Sequence, residues 1–272
     1  MKLAISQLTT LRWSTEEDVE AYRRHGFSAA GLWRPKLDEL GIEKTAELFA
    51  ENGMSVSSLS WAGGFTGSDG RGHDEAIEDA IEAVRAAEIL GADTLIVLAG
   101  GHNNHIHGHA MRLLRHGLEV ICEEAALTDL SIALEPIHPG CGSEWSFVGD
   151  IETTLDVVES MPESNVGLVL DAYHLAMNIN SQEELDLLEN VLPMVRLVQL
   201  GDARQTPLGE QNRCLLGEGR VPLQELITML ERSGYDGYYE VELIGEDVEP
   251  LPYEQVLQHT RAYFEDRLAR MQ

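Results

Sequence analysis

Residues 131–171 read SIALEPIHPGCGSEWSFVGDIETTLDVVESMPESNVGLVLD. Two apolar runs, Ser131-Ile-Ala-Leu and Val166-Gly-Leu-Val-Leu, each stop at a carboxylate, Glu135 and Asp171. Residues 150–161 between them carry the spacing of an amphipathic helix. Strand, helix and strand in this order describe two parallel strands joined by a helical crossover. A buried strand cannot keep an unpaired carboxylate, because desolvating the charge costs too much. Glu135 and Asp171 therefore mark where the buried strands end and a polar site begins.

The same rhythm extends in both directions. Strands are predicted over 3–8, 27–33, 56–61, 94–99, 132–136, 166–171, 195–200 and 239–243. Helices are predicted over 15–25, 44–52, 75–90, 109–127, 150–161, 183–191, 223–232 and 253–271. Thr15 is placed to cap the first helix, with Glu16, Glu17 and Asp18 in its first turn. Residues 62–70, rich in glycine, read as a flexible loop. Eight strand–helix units with no dividing linker predict a closed α/β barrel, the (β/α)8 or TIM barrel, as a single domain over 1–272. An open doubly wound sheet is the rival, but no GxGxxG follows the first strand.

In such a barrel the active site lies at the C-terminal strand ends. Two further polar groups fall there: Gln199 in Arg196-Leu-Val-Gln-Leu and Glu242 in Tyr238-Tyr-Glu-Val-Glu-Leu. Three carboxylates and an amide converging on one point call for a cation, and these hard oxygen donors suit a divalent metal.

The net charge of -28, from 47 acidic and 19 basic residues, disfavours nucleic acid and anionic membranes as partners. No apolar run approaches the ~20 residues of a membrane span. The N-terminal segment reads as a strand without a cleavage site, so a cytoplasmic protein is expected. Cys122, Cys141 and Cys214 are odd in number and widely spaced, which disfavours disulfides or a cysteine–zinc site.

Taken in order, Ala133-Leu-Glu-Pro-Ile-His-Pro, Val169-Leu-Asp-Ala-Tyr-His, Val198-Gln-Leu-Gly-Asp-Ala-Arg, Gly217-Glu-Gly-Arg-Val-Pro-Leu and Gly234-Tyr-Asp-Gly-Tyr-Tyr-Glu-Val-Glu-Leu resemble the xylose isomerase-like barrel family of sugar isomerases and epimerases. The resemblance implies that Glu135 and Glu242 bind a divalent metal and act as acid and base, with Asp171 a third ligand. The fourth ligand, usually His, is Gln199 here, as in hydroxypyruvate isomerase-like members. An amide oxygen favours Mn or Mg, with Co or Zn as alternatives. Glu240, on the same strand face as Glu242, is a rival for its role.

The resemblance also implies substrate contacts by His174 and Arg204; the latter could instead neutralise Asp202. His138, just past Glu135, is either a structural or a substrate contact, and Trp61 and Trp145 are candidate pocket walls. His102, His105, His107 and His109 read as a solvated loop or lid rather than a metal site. The expected activity is proton transfer through an enediolate on a small ketose or keto-polyol. The scarcity of basic residues in the loops leans against a phosphorylated substrate. The alternatives are an inosose dehydratase-like lyase, an apurinic endonuclease, which the negative charge disfavours, and a non-catalytic binding barrel. Barrels of this type often dimerise, so a homo-oligomer stays open.

Overall fold

A computed structural model describes residues 1–175 and 188–270. The strands are β1 (Lys2–Ser6), β2 (Ala29–Trp33), β3 (Ser55–Gly63), β4 (Ala92–Leu98), β5 (Ser131–Leu134), β6 (Val166–Asp171), β7 (Val195–Leu200) and β8 (Tyr238–Val241). All are parallel and pair in chain order, and β8 closes onto β1 with Leu3 opposite Tyr239. The predicted (β/α)8 barrel is therefore the observed fold. Closure leaves no strand edge to be satisfied by water or by another chain.

Among the described residues the helices of eight or more residues are α1 (Thr15–Arg24), α2 (Ile42–Glu51), α3 (His73–Leu90), α4 (His107–Ala125), α5 (Ile151–Val158), α6 (Leu223–Ser233) and α7 (Tyr253–Arg270). The helix expected over 183–191 lies mostly outside the described residues, as does Met271. At the start of α1 the cap is Ser14, not Thr15. Ser14 accepts from the Glu17 N–H while the Glu17 carboxylate takes the Ser14 N–H. That reciprocal box needs Glu three residues past the cap, a spacing Ser14 has and Thr15 lacks. No helix among the described residues is long and apolar enough to cross a membrane.

Alternation along each strand divides the core in two. Leu95, Val97, Ile132, Leu134, Leu168, Leu170, Val198 and Leu200 pack outward, in one cluster with helix residues such as Val84, Leu118 and Ile227. Ile96, Leu98, Ala133, Val169 and Leu197 form a separate cluster inside the barrel, with Trp61 and Tyr238 against it. Two residues beyond Ala133, Val169 and Leu197 stand Glu135, Asp171 and Gln199. The strand period of two therefore stacks a polar layer directly above the apolar interior. In register, Asp171 pairs with Gln199 and Gln199 with Glu240, so the polar row continues round the ring.

Candidate functional site

Every member of this polar layer is buried: Glu135, Asp171, Gln199, Glu240 and Glu242, together with His174 and Arg213. One ligand atom each from Glu135, Asp171 and His174 lies within 4.8 Å of the others, a candidate metal site. Gln199 joins from the next strand, its Nε2 donating to Glu242 Oε2 at 3.2 Å and to Glu240 Oε1 at 3.3 Å. Ser6, at the end of β1, donates to Glu242 Oε2 at 3.1 Å.

Arg213 is the cation within this layer. Its Nη2 is 2.8 Å from Asp171 Oδ2 and 3.0 Å from Glu242 Oε1, and the guanidinium lies over the Tyr173 ring. Burial alone would lower its pKa, but the adjoining Asp171 and Glu242 hold it well above the ordinary value. Even so, one guanidinium shares this layer with four carboxylates and pairs with two of them. Burial, with the charges of Asp171 and Glu242 added, drives the Glu135 carboxyl well above its usual range. Burial likewise pushes Glu242 up to about 7, against the opposing pull of Arg213.

His174 sits over this layer. It accepts the His138 backbone N–H at Nδ1, at 3.4 Å, which assigns the ring proton to Nε2. Burial lowers its pKa to about 4, so it is a neutral N–H donor at physiological pH. Its Nε2 is 3.8 Å from Asp171 Oδ2, too far for a hydrogen bond. Among the described residues three buried polar atoms of this layer lack a hydrogen-bond partner: His174 Nε2, Gln199 Oε1 and Arg213 Nε. Unpaired buried polar atoms are costly and rare. An amide oxygen and excess carboxylates fit a cation; an N–H donor fits a substrate oxygen.

Trp61, at the end of β3, and Trp145, past β5, meet edge to face with centroids 5.5 Å apart. With Gly64, Ser68 and Glu144 they line a cavity of about 180 Å³. A larger space of about 480 Å³ adjoins through the same two rings and reaches Trp33. Its cations are already engaged: Arg34 and Arg71 both bind Asp79. His138 caps the short helix Pro139–Gly142, its Nδ1 accepting from the Gly140 N–H at 3.1 Å. Arg204 is half-exposed and paired with Glu218 and Asp247; the structure does not bring it to the carboxylates, nor to the Asp202 side chain. Asp202 instead accepts four backbone N–H bonds, from Ala203, Gly217, Gly219 and Val221. His102 packs on Phe147, His105 bonds Thr66 O, and His107 and His109 open α4. Among the described residues these histidines form no three-ligand group.

The family model for the xylose isomerase-like TIM barrel matches residues 19–266. The chain belongs to that family. An inosose isomerase of Bacillus velezensis is 24% identical to this family member over 273 residues, covering 94% of this chain and 93% of the relative. A crystal structure of the IolI protein with a bound zinc atom superposes with a TM-score of 0.83 at 22% identity, covering 99% of each chain. D-psicose 3-epimerase from Clostridium cellulolyticum H10, crystallised with D-tagatose, superposes with a TM-score of 0.75 at 15% identity, again covering 99% of each.

Within this family frame, sequence reasoning missed Arg213, Ser6, Ser57 and Ser58. Arg213 had one signal: it precedes Cys214-Leu-Leu, an apolar run that draws it inward. The serines had none, since a hydroxyl in a strand is as often turned to solvent.

Proposed function

We propose that this barrel is a divalent-metal-dependent isomerase or epimerase of a small unphosphorylated ketose or keto-polyol. The reading rests on one observation: four buried carboxylates share a layer with one guanidinium, which pairs with Asp171 and Glu242, beside an amide oxygen with no hydrogen-bond partner. The inosose isomerase and psicose epimerase named above support the substrate class.

Glu135, Asp171, Gln199 and Glu242 are the proposed ligands. A divalent cation held there would polarise a substrate carbonyl and stabilise negative charge on its oxygen. Mn or Mg suits four oxygen donors. The zinc of the IolI structure keeps Zn among the alternatives, with Co.

Glu135 and Glu242 then serve as acid and base at the carbon beside that carbonyl. They come from strands three places apart round the ring, so they approach a bound substrate from different sides. One carboxylate takes the proton and the other returns it, which isomerises or epimerises according to the atom that receives it. His174 donates its Nε2–H to a substrate oxygen. Arg213 holds the carboxylates in place and limits their mutual repulsion. Trp61 and Trp145, with His138 nearby, wall the pocket and present apolar faces to a sugar ring. The cations at this mouth are engaged by acids, which leaves a phosphate no unpaired partner among those described above. Residues 1–272 act as one domain.

The test is a panel of ketoses and inososes incubated with Mn in deuterium oxide and followed by NMR. Solvent deuterium should enter at the carbon beside the carbonyl of one or more substrates, and Glu135→Gln should abolish it. No exchange in any of them, in metal-loaded protein, overturns the reading; exchange with loss of water turns it to a dehydratase.

A further inference from the structure

Glu240 is a buried carboxylate that the proposed reaction does not use. It lies on β8 two residues before Glu242 and faces the same interior. Its Oε2 accepts from both Ser57 Oγ and Ser58 Oγ at 2.7 Å, and its Oε1 accepts from Gln199 Nε2 at 3.3 Å. Adjacent strand residues normally face opposite sides of a sheet. Here the pairing of β2 with β3 skips one residue, Ala30 matching Val56 and Gly31 matching Ser58. That bulge turns both serines onto one oxygen, as bulges beside active sites do. Gly31 on β2, one strand beyond β1, leaves the room: a Cβ there would come within 2.3 Å of Glu240 Oε2. A bulge, two hydroxyls and a glycine thus hold one carboxylate in a fixed place.

The consequence falls on Gln199. Its Nε2 lies between Glu240 Oε1 and Glu242 Oε2, two acceptors. Flipping the amide would set its oxygen against both carboxylates, so the orientation is fixed. The other end of the amide, Oε1, has no hydrogen-bond partner. We infer that Glu240 is the positioning residue that turns the Gln199 carbonyl oxygen toward the cation, with Ser57, Ser58 and Gly31 as its cradle. This rests on Gln199 being a metal ligand, as proposed above. It gives an amide the fixed donor direction that a carboxylate–histidine pair gives an imidazole ligand.

The experiment is Mn affinity, by titration calorimetry or EPR, in a double-mutant cycle on the full chain. Glu240→Met should weaken Mn binding by about tenfold or more. In a Gln199→Ala background the same change should cost no more than about twofold. Glu240→Gln should stay within about twofold of the parent, because its carbonyl can still accept from Gln199 and its amide can donate to the serines. Equal losses from Glu240→Met in both backgrounds overturn the inference, and so does a Glu240→Gln loss as large as that of Glu240→Met, which would assign the effect to charge. If Glu240→Met does not fold, Ser57→Ala/Ser58→Ala takes its place in the cycle, where a Gln199-dependent loss supports the inference and an independent or absent one overturns it. Parent protein that binds no Mn overturns the metal reading itself, whereas parent binding with no Glu240 effect overturns the positioning role alone.

Discussion

At the scale of single residues, the site is a problem in buried charge. Removing Arg213 would leave Asp171 and Glu242 without their cation. Arg213→Met should destabilise the metal-free protein by about 3–5 kcal/mol in urea titrations. Glu135→Gln and Glu242→Gln keep shape and volume, so each should lower kcat by about 10²–10⁴ while the far-UV CD spectrum stays unchanged. A variant of either kind with parental turnover would remove that residue from the chemistry. Glu135, Asp171, Gln199 and Glu242 were legible one by one as strand-end polar residues because each interrupts an apolar run, whereas the three-ligand group in the structure is Glu135, Asp171 and His174. Arg213 was not, because a loop arginine carries no periodic signal and its partners lie on other strands. Arg204 shows the converse: its motif is legible, but its side chain is drawn to Glu218 and Asp247 at the surface.

At the scale of elements, β-strand alternation and two glycine-dependent approaches carry the arrangement. Gly219 lets its loop close on Asp202, where an added Cβ would lie 2.1 Å from Oδ1. The Asp202 carboxylate gathers the loop that carries Arg213, and the Cys214 N–H bonds the Asp202 carbonyl at 2.9 Å. Asp202→Ala should cost about 3 kcal/mol or more, since four N–H groups lose a charged acceptor. Limited trypsin digestion should then cut faster at Arg213 or Arg220; an unchanged rate would show that the loop is held by other means. Strand and helix order could be read from period and glycine stops. The β3 bulge could not, because Ser57 and Ser58 look like ordinary strand residues until β2 is laid beside them.

At the scale of the whole molecule, ring closure joins distant segments into one site, and a cation should couple its binding to the stability of the fold. Mn at a hundred times its dissociation constant should add about 2.7 kcal/mol, or roughly 5–10 °C in melting temperature. EDTA should reverse that gain and remove activity; a melting temperature indifferent to both would argue against the site. The charge of -28 makes the surface repel itself. Raising NaCl from about 10 mM to about 500 mM should therefore raise the melting temperature of the metal-free chain, as screening shortens the Debye length from about 30 Å to a few ångströms. The sequence by itself determined the strand–helix succession, the barrel it closes into and the strand-end acids, because hydrophobic period and solvation cost are local properties of a chain. Tertiary structure alone decided that Arg213 is the cation of the polar layer, that Ser6 and Glu240 brace that layer, and that the Gln199 oxygen is left unpaired. These are relations between side chains far apart in sequence, and they exist only once β8 meets β1 and each buried charge must find its partner in the space that closure leaves.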